Sequence, residues 1–141
     1  MFSPARTFLT SLVVCTLLSL PALAGGGKKV VVELFTSQGC PSCPPADAYL
    51  VELSRRDDVI ALSFHVDYWN YIGWKDPFSS PEATARQRAY GQAMQKRYVY
   101  TPQIVVDGRA ETVGSNRATV SSLIKMAAAA QKIDIDVTHN K

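Results

Sequence analysis

Apolar and polar positions divide the chain into a short series of elements. Val30 to Phe35 is a nearly continuous run of β-branched and aromatic residues, the pattern of a strand buried on both faces. Thr36 to Gly39 reads as a loop. From Cys40 to about Arg55 the apolar positions Ala46, Leu50 and Leu53 recur at helical spacing. Pro44 and Pro45 lack N–H groups and fit only in or near a first turn. The pattern therefore predicts either a kink or a helix proper that begins at Cys43. Asp57-Asp58 is a turn, and Val59 to Val66 is a second apolar strand. Strand, helix and strand predict a βαβ unit with parallel strands.

Asp67 to Ser79 follows as an aromatic loop with Tyr68, Trp69, Tyr71, Trp74 and Phe78. Ser80 reads as an N-cap with Pro81 at the first helical position, and the polar helix runs to about Arg97. Tyr100-Thr101-Pro102 precedes a third strand, Gln103 to Val106. Asp107-Gly108 is a two-residue hairpin signal, so Ala110 to Val113 returns antiparallel. Ser115 or Asn116 caps a last helix to about Lys132. Ile133, Ile135 and Val137 alternate with polar residues, as in the start of one more strand.

The N-terminal segment is a separate matter. Arg6 leads into an apolar run from Phe8 to Leu20, Pro21 breaks it, and Ala22-Leu23-Ala24 offers a small-residue cleavage site. The run is shorter than the roughly 20 residues that span a bilayer, which disfavours an uncleaved anchor. Residues 1–24 are thus expected to be a signal peptide and 25–29 a flexible lead-in. The domain is expected over 30–132, in a periplasmic or secreted protein with no stable membrane span after cleavage.

Composition then narrows the classes. The chain has 141 residues, enough for one domain. Hydrophobic residues make up 47% and charged residues 19%, which excludes a disordered chain. The net charge of +3 comes without a basic run, so no nucleic-acid partner is expected. Of three cysteines, Cys15 falls in the signal, leaving Cys40 and Cys43 as a CxxC pair in an oxidising compartment.

The element order is β-α-β-α-β-β-α. A CxxC sits where the first strand enters the first helix, and a proline sits just before the third strand. In these features the chain resembles the thioredoxin-like superfamily over nearly all of Val30 to Lys132. Longer strings resemble a bacterial exported family, the domain of unknown function 1223 family. They are Val32-Glu33-Leu34-Phe35-Thr36-Ser37-Gln38-Gly39-Cys40-Pro41-Ser42-Cys43-Pro44-Pro45-Ala46-Asp47, Phe64-His65-Val66-Asp67-Tyr68-Trp69, Gly73-Trp74-Lys75-Asp76-Pro77-Phe78 and Tyr100-Thr101-Pro102-Gln103. The resemblance implies an α/β, thioredoxin-like fold with a mixed four-stranded sheet flanked by helices. Members of that family continue past the last helix into β-rich sequence, so residues 133–141 are expected to start a truncated C-terminal extension.

Chemistry centres on the cysteine pair. A CxxC on a first helical turn can close a small disulfide, and the helix N-terminus favours the thiolate that attacks in exchange. Cys40 is expected to be the exposed nucleophile and Cys43 the more buried resolving thiol. The uncharged Pro41-Ser42 does not fix the redox potential. Three alternatives stand beside exchange. One is a purely structural disulfide. Another is zinc, for which only His65 and His139 remain as further obvious ligands. The third is copper held by Cys40, Cys43 and His65.

The resemblance implies further roles. Pro102 corresponds to a cis-proline facing the disulfide, leaving the Thr101 backbone to pair with an extended substrate; a trans proline on an edge strand is the alternative. Glu33 interrupts the buried run near where thioredoxins carry an acid that moves the resolving cysteine's proton; snorkelling to solvent is the alternative. His65 and Asp67 end the second strand on the cysteine side as accessory candidates, although a histidine on an apolar strand is more often a hydrogen-bonded core residue. Tyr68 and Trp69 are candidates for substrate contact. The aromatics could equally pack as a lid, the reading favoured for Trp69 and Trp74. The expected activity is thiol–disulfide oxidoreduction with protein thiols or disulfides and a redox partner. No cofactor is expected beyond a redox-active Cys40–Cys43 disulfide.

Overall fold

The computed structural model of the protein describes residues 29–133. The expected signal peptide, residues 25–28 of the lead-in and residues 134–141 of the extension, His139 included, lie outside the described residues.

β1 (Val30–Thr36) is the middle strand of a mixed sheet. α1 (Pro44–Leu53) returns the chain to β2 (Val59–Val66), which pairs parallel with β1, Val30 opposite Val59 and Thr36 opposite His65. β3 is the pair Ser79–Ser80, α2 spans Pro81–Ala93, β4 spans Gln103–Val106, β5 spans Ala110–Val113 and α3 spans Arg117–Ala129. The strand order is β3-β2-β1-β4-β5, with β4 antiparallel to β1 and β5 antiparallel to β4. This is the thioredoxin-like arrangement with five strands instead of the expected four. The extra strand joins His65 to Ser79 and Val66 to Ser80. Two residues are too few to show any periodicity, so β3 was invisible in the pattern.

The caps follow local chemistry. Cys43 is the N-cap of α1 and Pro44 its first residue, so the helix begins cleanly after the CxxC and Cys40 lies in the turn before it. The Ser80 side chain accepts from Ala83 N–H at 3.1 Å, and Asn116, not Ser115, accepts from Thr119 N–H at 3.2 Å. All three helices end earlier than their patterns suggested: α2 stops before Gln95, which has φ 55°. Asp107 and Gly108 both have positive φ, 48° and 66°, as a tight turn between twisted antiparallel strands requires.

The sheet alternates its partners. Val30, Val32 and Leu34 of β1, with Ile104 and Val106 of β4, pack under α1 and α3 against Ala46, Leu50, Leu53, Val120 and Ile124. Phe35, Val66 and Val105 face the other way, toward Phe64, Tyr68, Trp69 and Tyr90. Complete burial of one such aliphatic or aromatic side chain contributes about 1.5–3 kcal/mol. β2 is apolar but only partly covered. Ile60 and Leu62, on the α2 side, remain 42% and 38% exposed.

Candidate functional site around the Cys40–Cys43 disulfide

β1 ends at Thr36, and the turn after it carries the cysteines to the N-terminus of α1. Gly39 N–H donates to Ser37 Oγ at 3.1 Å, and Cys40 N–H donates to Ser37 C=O at 3.1 Å. Cys40 and Cys43 are joined as a disulfide with Cα atoms 5.5 Å apart. The pair is enclosed, Cys40 at 2% exposure and Cys43 at 0%. The expected exposed nucleophile is therefore corrected: Cys40 is as covered as its partner. A Cβ placed on Gly39 would meet Ile72 Cδ1 at 3.1 Å and Trp69 Cβ at 3.4 Å, so the aromatic loop packs closely on the residue before Cys40.

The Thr101–Pro102 peptide is cis. Gly114 N–H donates to Pro102 C=O at 2.9 Å. A Cβ on Gly114 would lie 3.0 Å from Ala46 Cβ, 3.1 Å from Leu34 Cδ1 and 3.3 Å from Pro102 Cβ. A side chain at this position would need Ala46, Leu34 or Pro102 to give way by a few tenths of an ångström. Trp69 Nε1–H donates to Thr101 Oγ1 at 2.8 Å and ties the aromatic loop to the same segment. Tyr68 O–H donates to Gln87 Oε1 at 3.1 Å. The fully buried Gln87 in turn donates to Tyr100 C=O at 2.7 Å and to Gln103 Oε1 at 2.8 Å. Tyr100 and Gln103 both donate to Glu111. Burial, and then the Glu111 carboxylate, push the Tyr100 phenol up. Trp69 and Tyr68 thus brace the proline loop from within. Trp74 is exposed, so the expectation that it packs as a lid is corrected; Trp69, partly buried and stacked on Tyr71, does pack.

His65 sits beside Thr36 in the sheet register. Its Nδ1 is 2.6 Å from Asp76 Oδ2. A carboxylate only accepts, so Nδ1 carries the proton. The buried Asp76 also accepts from Gln38 N–H at 2.8 Å and from Phe78 N–H at 2.9 Å. Burial alone would push this carboxyl up, but those bonds outweigh it and hold it below the usual carboxylate range. Asp76 thereby links the histidine to the loop two residues before Cys40. Within Gly73-Trp74-Lys75-Asp76-Pro77-Phe78 it gives no signal of its own, since its partners are an imidazole and backbone amides.

Two expected site residues lie elsewhere. Glu33 is buried, but it is on the α2 face, where it accepts from Arg86 Nε at 2.5 Å and Tyr90 O–H at 2.6 Å. The alternation of β1 puts Val32, Leu34 and Thr36, not Glu33, on the α1 side. The assignment of Glu33 to the resolving cysteine is corrected for that reason, as is its snorkelling to solvent. On the α1 side Thr36 Oγ1 donates to Asp47 Oδ1 at 2.8 Å, and Asp47 N–H donates to Cys43 C=O at 3.1 Å. Asp47 is the carboxylate one turn beyond Cys43. Its signal was the i+4 spacing within Cys43-Pro44-Pro45-Ala46-Asp47. Asp67 accepts from Thr84 Oγ1 at 2.6 Å and anchors α2.

Among the described residues no three His, Cys, Asp or Glu side chains group closely enough to hold a metal ion, so Cys40, Cys43 and His65 form no such set. Among the same residues no helix is long and apolar enough to cross a membrane.

The family model described as "Protein of unknown function (DUF1223)" matches residues 31–141. A protein from Agrobacterium tumefaciens of known crystal structure is 48% identical, with a TM-score of 0.66; the match covers 73% of this chain and 45% of that one. The chain thus spans less than half of that relative's length. A thioredoxin from Wuchereria bancrofti is 23% identical over 74% of this chain and 83% of its own, with a TM-score of 0.41. No curated protein matches the chain.

Proposed function

The chain belongs to the DUF1223 family, described as proteins of unknown function, and from the geometry of its site we propose that it catalyses thiol–disulfide exchange on other proteins through Cys40 and Cys43. The observation that carries this reading is a CxxC disulfide at the N-terminus of α1 together with a cis Thr101–Pro102 peptide whose proline meets the first turn of the same helix at Gly114. In the oxidising direction a substrate thiolate attacks Cys40 Sγ. The Cys40–Cys43 bond breaks and Cys43 leaves as a thiolate, whose charge the α1 N-terminus favours. A second substrate thiolate then attacks the mixed disulfide. The substrate disulfide departs and Cys40 is left reduced, two electrons having passed to the pair. A dithiol–disulfide redox partner restores the disulfide, and the same steps run backwards reduce a substrate. Thr101, outside the strand ladder that starts at Gln103, offers its backbone to an extended substrate. The apolar run of residues 8–20 supports an exported protein working in the periplasm or outside the cell. Insulin reduction and dithiol oxidation test the reading. Both should be present in the wild type and lost in Cys40→Ser; absence of both from the wild type across several redox buffers rejects it.

A second reading has its own support. The burial of both cysteines suits a disulfide that only stabilises a binding module. That reading requires Cys40 of the reduced, folded protein to show no low-pKa reactivity toward an alkylating agent.

A further inference from the structure

The end of β2 holds a histidine whose tautomer is fixed. His65 Nδ1–H is committed to Asp76 Oδ2, so in the neutral ring Nε2 carries a lone pair and no proton. The same Oδ2 accepts from Gln38 N–H, two residues before Cys40, while Oδ1 accepts from Phe78 N–H. Asp76 N–H in turn donates to Asn70 Oδ1 at 3.1 Å. The carboxylate is 1% exposed and the imidazole 21%. A buried, fully bonded acid thus orients a ring that reaches solvent.

No neighbour takes the Nε2 lone pair. In the sheet His65 lies between Thr36 and Ser79. Thr36 O–H is engaged by Asp47, and Ser79 O–H by Asp76 C=O at 2.8 Å. The Phe78 ring makes a T-shaped contact with the imidazole, centroids 5.5 Å apart, and has no polar donor. Among the described residues no buried side-chain nitrogen or oxygen lacks a partner, so Nε2 belongs to the exposed part of the ring. An imidazole held by a carboxylate with its other nitrogen open is the arrangement of a general base.

We propose that His65 is a general base in disulfide exchange, accepting at Nε2 the proton of the thiol that attacks Cys40. This rests on exchange at the Cys40–Cys43 pair. β1 and β2 run parallel, so Thr36 and His65 end side by side, and the chain continues from Thr36 into the turn that carries Cys40. The substrate S–H bond breaks and an N–H bond forms at Nε2. The thiolate bonds to Cys40 Sγ, the Cys40–Cys43 bond breaks, and its electron pair leaves on Cys43. Asp76 is the positioning residue, and its charge balances the imidazolium. The other charged side chain tied to a neighbour of the ring is Asp47, through Thr36. In the reverse direction the imidazolium returns its proton to the departing thiolate.

Single-turnover opening of the oxidised protein by two small thiols tests this. One is 2-mercaptoethanol, protonated at neutral pH, and the other is thiophenol, already largely ionised. His65→Asn keeps an N–H for Asp76 and removes Nε2. It should slow opening by 2-mercaptoethanol on the order of 10²-fold and leave thiophenol nearly unaffected, with part of the loss restored by added imidazole. An unchanged ratio of the two rates overturns the proposal. So does equal slowing of both thiols, which marks a structural role. A wild-type disulfide that neither thiol opens rejects this base and exchange together, whereas wild-type activity on insulin with a ratio independent of His65 rejects the base alone.

Discussion

Trp69 Nε1 donates a 2.8 Å hydrogen bond to Thr101 Oγ1, so the loop packed on Gly39, next to Cys40, is fastened to the residue before the cis-proline. One bond thereby joins the loop beside Cys40 to the segment expected to hold substrate. Trp69→Phe keeps most of the ring and removes the donor, and Thr101→Val removes the acceptor. Each should cost about 0.5–1.5 kcal/mol in urea denaturation, and the double variant should cost less than the sum. Both should also let dithiothreitol reduce the disulfide several-fold faster. Equal reduction rates in wild type and variants would show that the loop does not gate the pair.

The Asp76 carboxyl has a folded-state pKa held below its unfolded value. Its contribution to stability is therefore present above the unfolded carboxylate pKa, about 3.9, and is lost as pH falls through the folded value. In that acid window the unfolded state binds more protons, so stability must rise with pH. Asp76→Asn should flatten this acid limb. Asp76→Ala leaves Gln38 N–H, Phe78 N–H and His65 without their acceptor and should cost about 2–4 kcal/mol. Chemical denaturation at several pH values between 2 and 6 measures both; an unchanged acid slope in Asp76→Asn assigns the acid sensitivity to other carboxyls.

The alkaline side reads out a different cluster. Burial first, and then the Glu33 carboxylate, push the Tyr90 phenol up to about 12. A raised folded pKa gives stability that is complete below the unfolded value near 10 and is lost as pH rises through the folded one. Tyr90→Phe should remove part of the decline above pH 10. Thermal melts from pH 8 to 11.5 would show it, and an identical decline in the variant excludes Tyr90 as its source.

Much of this fold was legible because its signals are local. Ser80-Pro81, Asp107-Gly108 and the apolar runs of β1 and β4 each carry their own instruction, and each formed where expected. What escaped depends on distant partners. The Glu33 side chain could be read as buried, but which helix lies on which side of β1 is decided by packing across the sheet. The burial of Cys40 escaped for the same reason, since how the tertiary fold closes around a turn is not written in the turn's own residues. Asp76 escaped because backbone amides, its main donors, look alike at every position.

Gly114 marks where the proline loop meets α1. A Cβ there would press on Ala46 Cβ at 3.0 Å and Pro102 Cβ at 3.3 Å, and neither is the far end of a flexible chain. Gly114→Val should therefore overpack the contact and cost about 1–3 kcal/mol, with slower exchange chemistry because the proline is displaced from the disulfide helix. Denaturant titration measures the first effect and insulin reduction the second. Wild-type stability in the variant would mean that the loop simply moves away.

Asp47 and Glu33 lie on opposite sides of the sheet at β1. Asp47 shares the α1 face with Thr36 and follows Cys43 by one helical turn, whereas Glu33 is held by Arg86 and Tyr90 beyond the sheet. If a carboxylate assists the resolving thiol, it is Asp47. Asp47→Asn should then move the pH profile of exchange through Cys43, while Glu33→Gln should lower stability and leave that profile in place. The measurement is the pH dependence of mixed-disulfide resolution in single turnover, with stability followed by denaturation in the same buffers. A profile moved by Glu33→Gln and not by Asp47→Asn would reverse the assignment, because no change in overall stability alone can shift the pH at which a thiol becomes a nucleophile.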